Sequence, residues 1–348
     1  MPLDECPDDT DGGDVEPPDD RVTAAFHGRR VLVTGGMGFL GSNLAIQLVR
    51  CGARVTLLDS LIPEMGGSFG NIASIRSQVV VNQSDLRDAT SVEILVRDQD
   101  YIFHLAGQVS HGDSMRDPQL DLGVNCVSTM NLVEACRKHN PDVQMLYTST
   151  RQVYGRPRAL PVTEEHPTLP IDVNGINKLA AEYYHLLYHS VYGIRSVVLR
   201  LTNSFGPRQK IRTDRQGVAA VFIQHALCGK TIHLYGGGAQ RRDFNYVDDV
   251  VRAMLLAMPS GQCHGKVFNL GAVKPHSLIE FATILQRLCG CNIEGVPFPK
   301  DQTLIDIGDY YGDFSRFREA TGWVPRVGLE EGLERTVAFY RRHREDYW

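Results

Sequence analysis

The chain has 348 residues, 43% of them apolar and 22% charged, with a formal net charge of −5. That length suffices for one large core or two domains. The mild acidity offers no nucleic-acid surface, and no apolar run approaches the ~20 residues of a membrane-spanning helix.

The eight cysteines are scattered among apolar neighbours, only Cys289 and Cys291 stand close, and no spacing suggests a metal site. They read as reduced thiols of a cytoplasmic protein. The first 20 residues are acidic and proline-containing with almost no large apolar side chains, so they cannot offset their ordering entropy, and they lack a secretion signal. A disordered acidic tail is expected over residues 1–27.

Arg30 to Ser42 reads R-V-L-V-T-G-G-M-G-F-L-G-S. Arg30–Thr34 suits a buried parallel strand, and the helical spacing of Leu44, Leu48 and Val49 predicts a helix over Asn43–Arg50. Between them Gly35, Gly38 and Gly41 form a G-x-x-G-x-x-G turn that lets a pyrophosphate approach the backbone beside Phe39, Leu40 and the helix start. A second strand, Val55–Leu58, ends in Asp59, whose carboxylate would accept hydrogen bonds from an adenosine ribose and repel a 2′-phosphate. NAD is therefore expected over NADP.

A glycine-rich loop over 64–71 leads to a third strand at Val79–Val81, closed by Asp85 and Leu86 where an adenine amino group would lie. Asp88 reads equally as the cap of a helix over Ala89–Arg97. The fourth strand, Tyr101–Leu105, runs into Ala106, Gly107, Ser110 and His111, at the strand end where doubly wound sheets bind ligands. A helix is predicted over Val124–His139 and a fifth strand over Gln144–Thr148, leading to Thr150 and Tyr154.

The helix Asn174–Tyr192 is apolar on more than one face, which suggests the sheet on one side and a partner on another. A strand at Ser196–Leu201, a basic loop over 208–217, a helix at Val218–Leu227 and a strand at Thr231–Tyr235 precede Gly236–Arg242. There three glycines beside two arginines suit either a phosphate or a solvated turn. Helices at Val247–Met258, Leu278–Leu288 and Leu329–Arg344 complete the chain. The alternation predicts an α/β fold with a Rossmann-type doubly wound parallel sheet.

The glycine turn, Asp59, Asp85, His104–Gly107, Val153–Gly155, Lys178, Arg200–Asn203 and Arg242–Phe244 occur in this order and resemble the extended short-chain dehydrogenase/reductase family, specifically NAD-dependent nucleotide-sugar epimerases and dehydratases. The resemblance implies an NAD domain over 28–206 with 245–272 returning to it. It also implies a smaller α/β domain for a nucleotide diphosphate sugar over 207–244 and 273–348. It implies Lys178 on the nicotinamide ribose, Thr150 as the active-site hydroxyl, and Leu105, Ala106 and Gly107 beside the cofactor. Ser110, Asn203, Gln216 and Arg242 are implied on the substrate, and a homodimer through helices 124–139 and 174–192, with neither membrane nor nucleic acid as partner.

The sequence departs from that pattern at Asn174, where the family places tyrosine four residues before the lysine. A carboxamide does not titrate as a proton acceptor, and losing a positioned acid–base removes ~10²–10⁴ in rate. His111, Tyr154, Asp172 or a water held by Asn174 and Thr150 are the candidate replacements, against plainer readings of a loop histidine, a structural tyrosine and a helix cap. Arg151 and Gln152 stand where relatives that eliminate water carry Asp-Glu. The expected activity is an NAD-dependent epimerase with a transient keto-sugar and a non-tyrosine relay. The alternatives are a catalytically silent binding protein or partner subunit, and a dehydratase or decarboxylase.

Overall fold

The apolar runs form strands that are buried on both faces, so neither face needs polar residues. The computed structural model describes residues 19–62, 65–212, 217–298 and 306–348. Its central sheet contains β1 (Arg30–Thr34), β2 (Arg54–Leu58), β3 (Val80–Asn82), β4 (Tyr101–His104), β5 (Gln144–Thr150), β6 (Arg195–Leu201) and a last strand, Lys266–Asn269. Their spatial order is Lys266–Asn269, β6, β5, β4, β1, β2, β3, and every pairing is parallel. Chain order reverses at β1, which lies between β2 and β4, and this opens a crevice at their carboxyl ends.

Smaller pairings follow. Asn203–Phe205 pairs with Phe244–Tyr246 and Ile232–Tyr235 with Ile293–Val296, both parallel, while Arg241–Arg242 runs antiparallel to His276–Ser277. Phe244 and Phe281, with ring centroids 4.7 Å apart, lie in the core between these pieces.

Three local expectations change. The expected tail holds a helix at Asp20–Phe26, because Asp19 caps it by accepting the Val22 N–H and because Val22 and Phe26, four residues apart, bury one face. The Phe26 ring lies 5.0 Å from Tyr101. Residues 1–18 lie outside the described residues. The helix after the glycine turn begins at Phe39, one turn earlier than its apolar spacing indicated. The helix expected from Val124 opens with a wider π-type turn, Leu122–Val127, before Ser128–His139. In that turn the Asn125 side chain accepts from Gln108 N–H at 3.2 Å and donates to Gln108 O at 3.1 Å, pinning the loop after β4.

The helix Val173–Tyr192 buries Asn174, Asn177, Lys178, Glu182 and His185, while Ile176, Tyr183, Leu187 and Val191 are exposed. Its inward face is therefore polar. Glu182 receives Arg200 of β6 through Nε at 2.9 Å and Nη2 at 2.6 Å, and Arg200 Nη1 donates to the Tyr154 hydroxyl at 2.7 Å. Tyr154 in turn donates to Asn269 Oδ1 at 2.7 Å, so one buried network joins the helix, two strands and the Tyr154 turn. Removing one partner of such a pair costs about 3–5 kcal/mol, whereas a well-packed apolar pair can replace both. Glu182→Ala should lower unfolding stability in urea by about that amount, and Glu182→Leu with Arg200→Met should recover most of it. A loss below about 1 kcal/mol in the single variant would show that the network does not hold the sheet to the helix.

Candidate active site

A cavity of about 1150 Å³ spans the crevice, from the glycine turn to Arg242 and Phe298. Gly35 adopts φ +66°, and a Cβ on it would lie 2.8 Å from Ala106 N; a Cβ on Gly41 would lie 2.1 Å from Gly35 O. Gly38 begins the Phe39–Arg50 helix without a side-chain cap, which leaves that helix's first N–H groups for an anion. Phe39, Leu40, Leu86, Leu105 and Ala106 line the same half.

Asp59 also lines it, with Oδ1 accepting from Leu61 N–H at 2.9 Å and Oδ2 from Met37 N–H at 3.0 Å. Burial raises its pKa above the ordinary range, and those two bonds oppose the rise. Asp85 reaches the cavity wall too, but Arg87 grips its carboxylate at 2.6 Å and holds its pKa down. Asp88 caps the Ala89–Leu95 helix. This cradle fits a dinucleotide: no side chain fills the turn, helix N–H groups face the phosphate position, and a fixed carboxylate stands at the ribose position.

Lys178 lies on the cavity wall, its Nζ donating to Thr148 O at 3.2 Å and sitting 4.9 Å from the centre of the Tyr147 ring. Burial lowers its pKa to about 8, against the opposing pull of Asp121 and Glu182. Gly107 makes room for it, since a Cβ there would come within 2.8 Å of Nζ. Asn174, one turn earlier, borders the cavity, but its Nδ2 donates to Gln108 O at 2.8 Å and to Asp121 Oδ2 at 3.2 Å. Asp121 also accepts from Asn177 at 2.8 Å. The amide in the tyrosine position therefore braces the helix start.

The nearby titratable pair is His111 and Asp172. His111 Nδ1 lies 3.1 Å from Asp172 Oδ2; the aspartate side chain is 1% exposed and the histidine 36%, on the cavity wall. Asp172 Oδ1 accepts the Gly175 N–H at 2.6 Å and so caps the lysine helix as well. Burial pushes the Asp172 pKa up, but the His111 hydrogen bond and charge, Gly175 N–H and Arg151 outweigh it and leave the pKa below the usual value. The Gln152 amide contacts both ring nitrogens of His111. Thr150 lines the cavity and accepts from Gln152 N–H at 3.3 Å, and Ser110 caps the His111 turn. Tyr154 is fully buried, with its hydroxyl engaged by Arg200 and Asn269 and its pKa raised to about 12 by burial, so it does not replace the missing tyrosine.

On the far side, Asn203 Nδ2 donates to Asp243 O at 3.0 Å and its Oδ1 accepts from Arg151 at 3.4 Å. Arg242 pairs with Asp306 at 3.5 Å and donates to Gly308 O, with its pKa lowered to about 10 chiefly by burial. Gln216 lies outside the described residues. Residue-by-residue reading missed the Tyr235 and Phe298 rings, tilted against each other 5.6 Å apart on the cavity wall. It also treated His111 and Asp172 separately, because their separation of 61 positions hides their contact.

The family model described as NAD dependent epimerase/dehydratase matches residues 31–271. The UDP-glucose 4-epimerase of Mycolicibacterium smegmatis is 35% identical over 316 residues, which cover 90% of this chain and 98% of that protein. The solved UDP-glucose 4-epimerase of Thermotoga maritima with UDP-glucose is 33% identical with a TM-score of 0.82, covering 90% of this chain and 99% of that one. The Thermus thermophilus UDP-glucose 4-epimerase complex with NAD is also 33% identical, with a TM-score of 0.80 over 90% of this chain and 99% of its own. The cradle fits NAD, and the chain belongs to the NAD-dependent nucleotide-sugar epimerase/dehydratase family of extended short-chain dehydrogenases/reductases.

Proposed function

We propose that this chain is a cytoplasmic nucleotide-sugar epimerase acting through a transient keto-sugar, with His111, held by Asp172, as the proton acceptor in place of tyrosine. The observation that carries the reading is the 3.1 Å His111–Asp172 contact on the wall of the cavity that also holds Lys178 and Thr150. A carboxylate on Nδ1 fixes the ring's orientation and tautomer, an arrangement suited to accepting a hydroxyl proton. NAD, when bound, supplies reversible two-electron oxidation at the sugar carbinol. Thr150 orients the sugar hydroxyl, Lys178 holds positive charge at the nicotinamide ribose, and Asn203 and Arg242 hold the diphosphate. Gln216 is assigned beside the nucleoside on sequence alone. Arg151 and Gln152 supply no carboxyl group for elimination, which favours epimerisation over dehydration.

The silent-binder reading draws on the Asn174 amide, whose bonds to Gln108 and Asp121 brace the helix in place of a titrating group. With NAD and a panel of UDP-sugars, the wild type should form an isomer of unchanged mass. His111→Gln should cut kcat by about 10²–10⁴, with sugar-nucleotide Kd within about threefold. Asn174→Tyr should lose activity. Turnover by Asn174→Tyr alone would instead establish the silent binder.

The pH dependence follows from Lys178. As pH rises through about 8 the free enzyme loses the ammonium, so kcat/KM should fall there. Stability should move oppositely. Because the folded pKa is depressed, the burial penalty is full below about 8 and is relieved as pH rises toward the unfolded value of 10.5. Lys178→Met should abolish this residue's stability gain, measured by urea unfolding across that window; an unchanged profile would rule out the depressed lysine.

The assembly is a homodimer through helices 124–139 and 174–192. Exposed Ile176, Tyr183, Leu187 and Val191 support it, being apolar side chains on the outward face of the lysine helix. Sedimentation should give twice the chain mass, and Leu187→Asp should give the single chain; a monomeric wild type would refute the dimer.

A further inference from the structure

The cavity contains a cation to which no described carboxylate is bound directly. Arg151 follows Thr150 at the end of β5 and lines the cavity. Its Nη2 donates to Asn203 at 3.4 Å, its guanidinium lies 5.4 Å from the centre of the Tyr310 ring, and the buried Nη1 has no hydrogen-bond partner. Among the described residues it forms no ion pair. The buried Arg200 and Arg242 differ, since Arg200 has Glu182 and Arg242 has Asp306.

None of the carboxylates that face Arg151 bonds it directly, although Asp243 keeps Oδ1 without a partner. Asp172 serves His111 and the Gly175 N–H. Asp306 serves Arg242. Asp243 accepts the Gly312 N–H at 3.0 Å, and burial lifts its pKa to about 7, so it supplies only part of a negative charge at neutral pH. Burial accordingly lowers the Arg151 pKa, yet a guanidinium remains charged in a protein. A half-buried guanidinium whose buried Nη1 is idle is costly to hold unless a ligand supplies its counter-charge.

We propose that Arg151 selects a sugar nucleotide whose sugar bears a carboxylate, a hexuronate or comparable acid sugar, by pairing with that carboxylate. The proposal rests on the reading of the cavity as a nucleotide-sugar site, and it names the substrate class. Position favours the sugar over the diphosphate. Arg151 adjoins Thr150 and lies within electrostatic reach of Asp172, on the side of the proposed proton acceptor, whereas Arg242, also within its electrostatic reach, is already tethered to Asp306. Asn203 and the Tyr310 ring fix the guanidinium plane, and a planar donor fork matches a planar carboxylate.

The test uses calorimetric titration of the NAD-saturated protein with UDP, UDP-glucose and UDP-glucuronate, on the wild type, Arg151→Met and Arg151→Lys. The wild type should bind UDP-glucuronate about tenfold or more tighter than UDP-glucose. Arg151→Met should reduce that preference below about threefold with UDP affinity nearly unchanged, and Arg151→Lys should fall between them. Urea unfolding of ligand-free Arg151→Met should show a smaller loss of stability than Glu182→Ala, because the guanidinium gives up the Asn203 bond and the Tyr310 contact but no ion pair. Equal wild-type affinity for both sugars would overturn the proposal while leaving the nucleotide-sugar reading intact. A matched loss for UDP and both sugars in Arg151→Met would place the guanidinium on the diphosphate and also overturn it. Failure of the wild type to bind UDP would remove the nucleotide-sugar reading and this proposal together.

Discussion

The molecule depends on the polar inward face of one helix. Asn174, Lys178 and Glu182 recur every four residues along Val173–Tyr192, and Asn177 and His185 flank that stripe, all turned toward the sheet. Burying such groups is unfavourable unless each finds a partner. Here Asn174 and Asn177 share Asp121, Lys178 meets Thr148 O, Glu182 meets Arg200, and His185 Nδ1 meets the Ser196 hydroxyl at 3.2 Å. The bonds reach three pieces of chain, the turn at Asp121, β5 and β6, so satisfying the stripe sets the helix's rotation and position along the sheet. The same fit sets where the Lys178 ammonium enters the cavity.

Asp172 couples this frame to the proposed chemistry. One oxygen caps the helix at Gly175 N–H and the other faces His111, so the group that starts the helix also aims the imidazole. A carboxylate with both roles cannot be moved to suit the histidine without loosening the lysine. That linkage explains how an amide is accommodated at position 174. The brace to Gln108 and Asp121 replaces whatever fixing a larger ring would provide, and the His111 imidazole stands on the cavity wall from the loop after β4.

Much of the fold was legible because its signals are local. The Arg30–Ser42 pattern, Asp59, and the Val218–Leu227 helix each follow from a few neighbouring residues, and the cavity gathers the described site residues from both halves. The failures are of another kind. The Asp20–Phe26 helix depends on the distant Tyr101 for its burial, and the Leu122–Val127 turn on Gln108. The lysine helix is apolar on more than one face, as its composition indicates, but the polar stripe between those faces is tolerable only because partners arrive from Asp121, β5 and β6.

The distribution of charge gives the cavity its chemical bias. Lys178 and Arg151 enter without carboxylates bound directly to them, while Arg242 is tethered to Asp306 and Asp85 to Arg87. Ligand-free, this arrangement is electrostatically incomplete, because low-dielectric walls strengthen the field of each unmatched cation. A dinucleotide phosphate at the glycine turn and an anionic sugar nucleotide opposite would supply the missing negative charge from two directions. Selectivity on this account arises from what the protein leaves uncompensated, and Arg151, with an idle Nη1 beside Thr150, is the place where that omission faces the sugar.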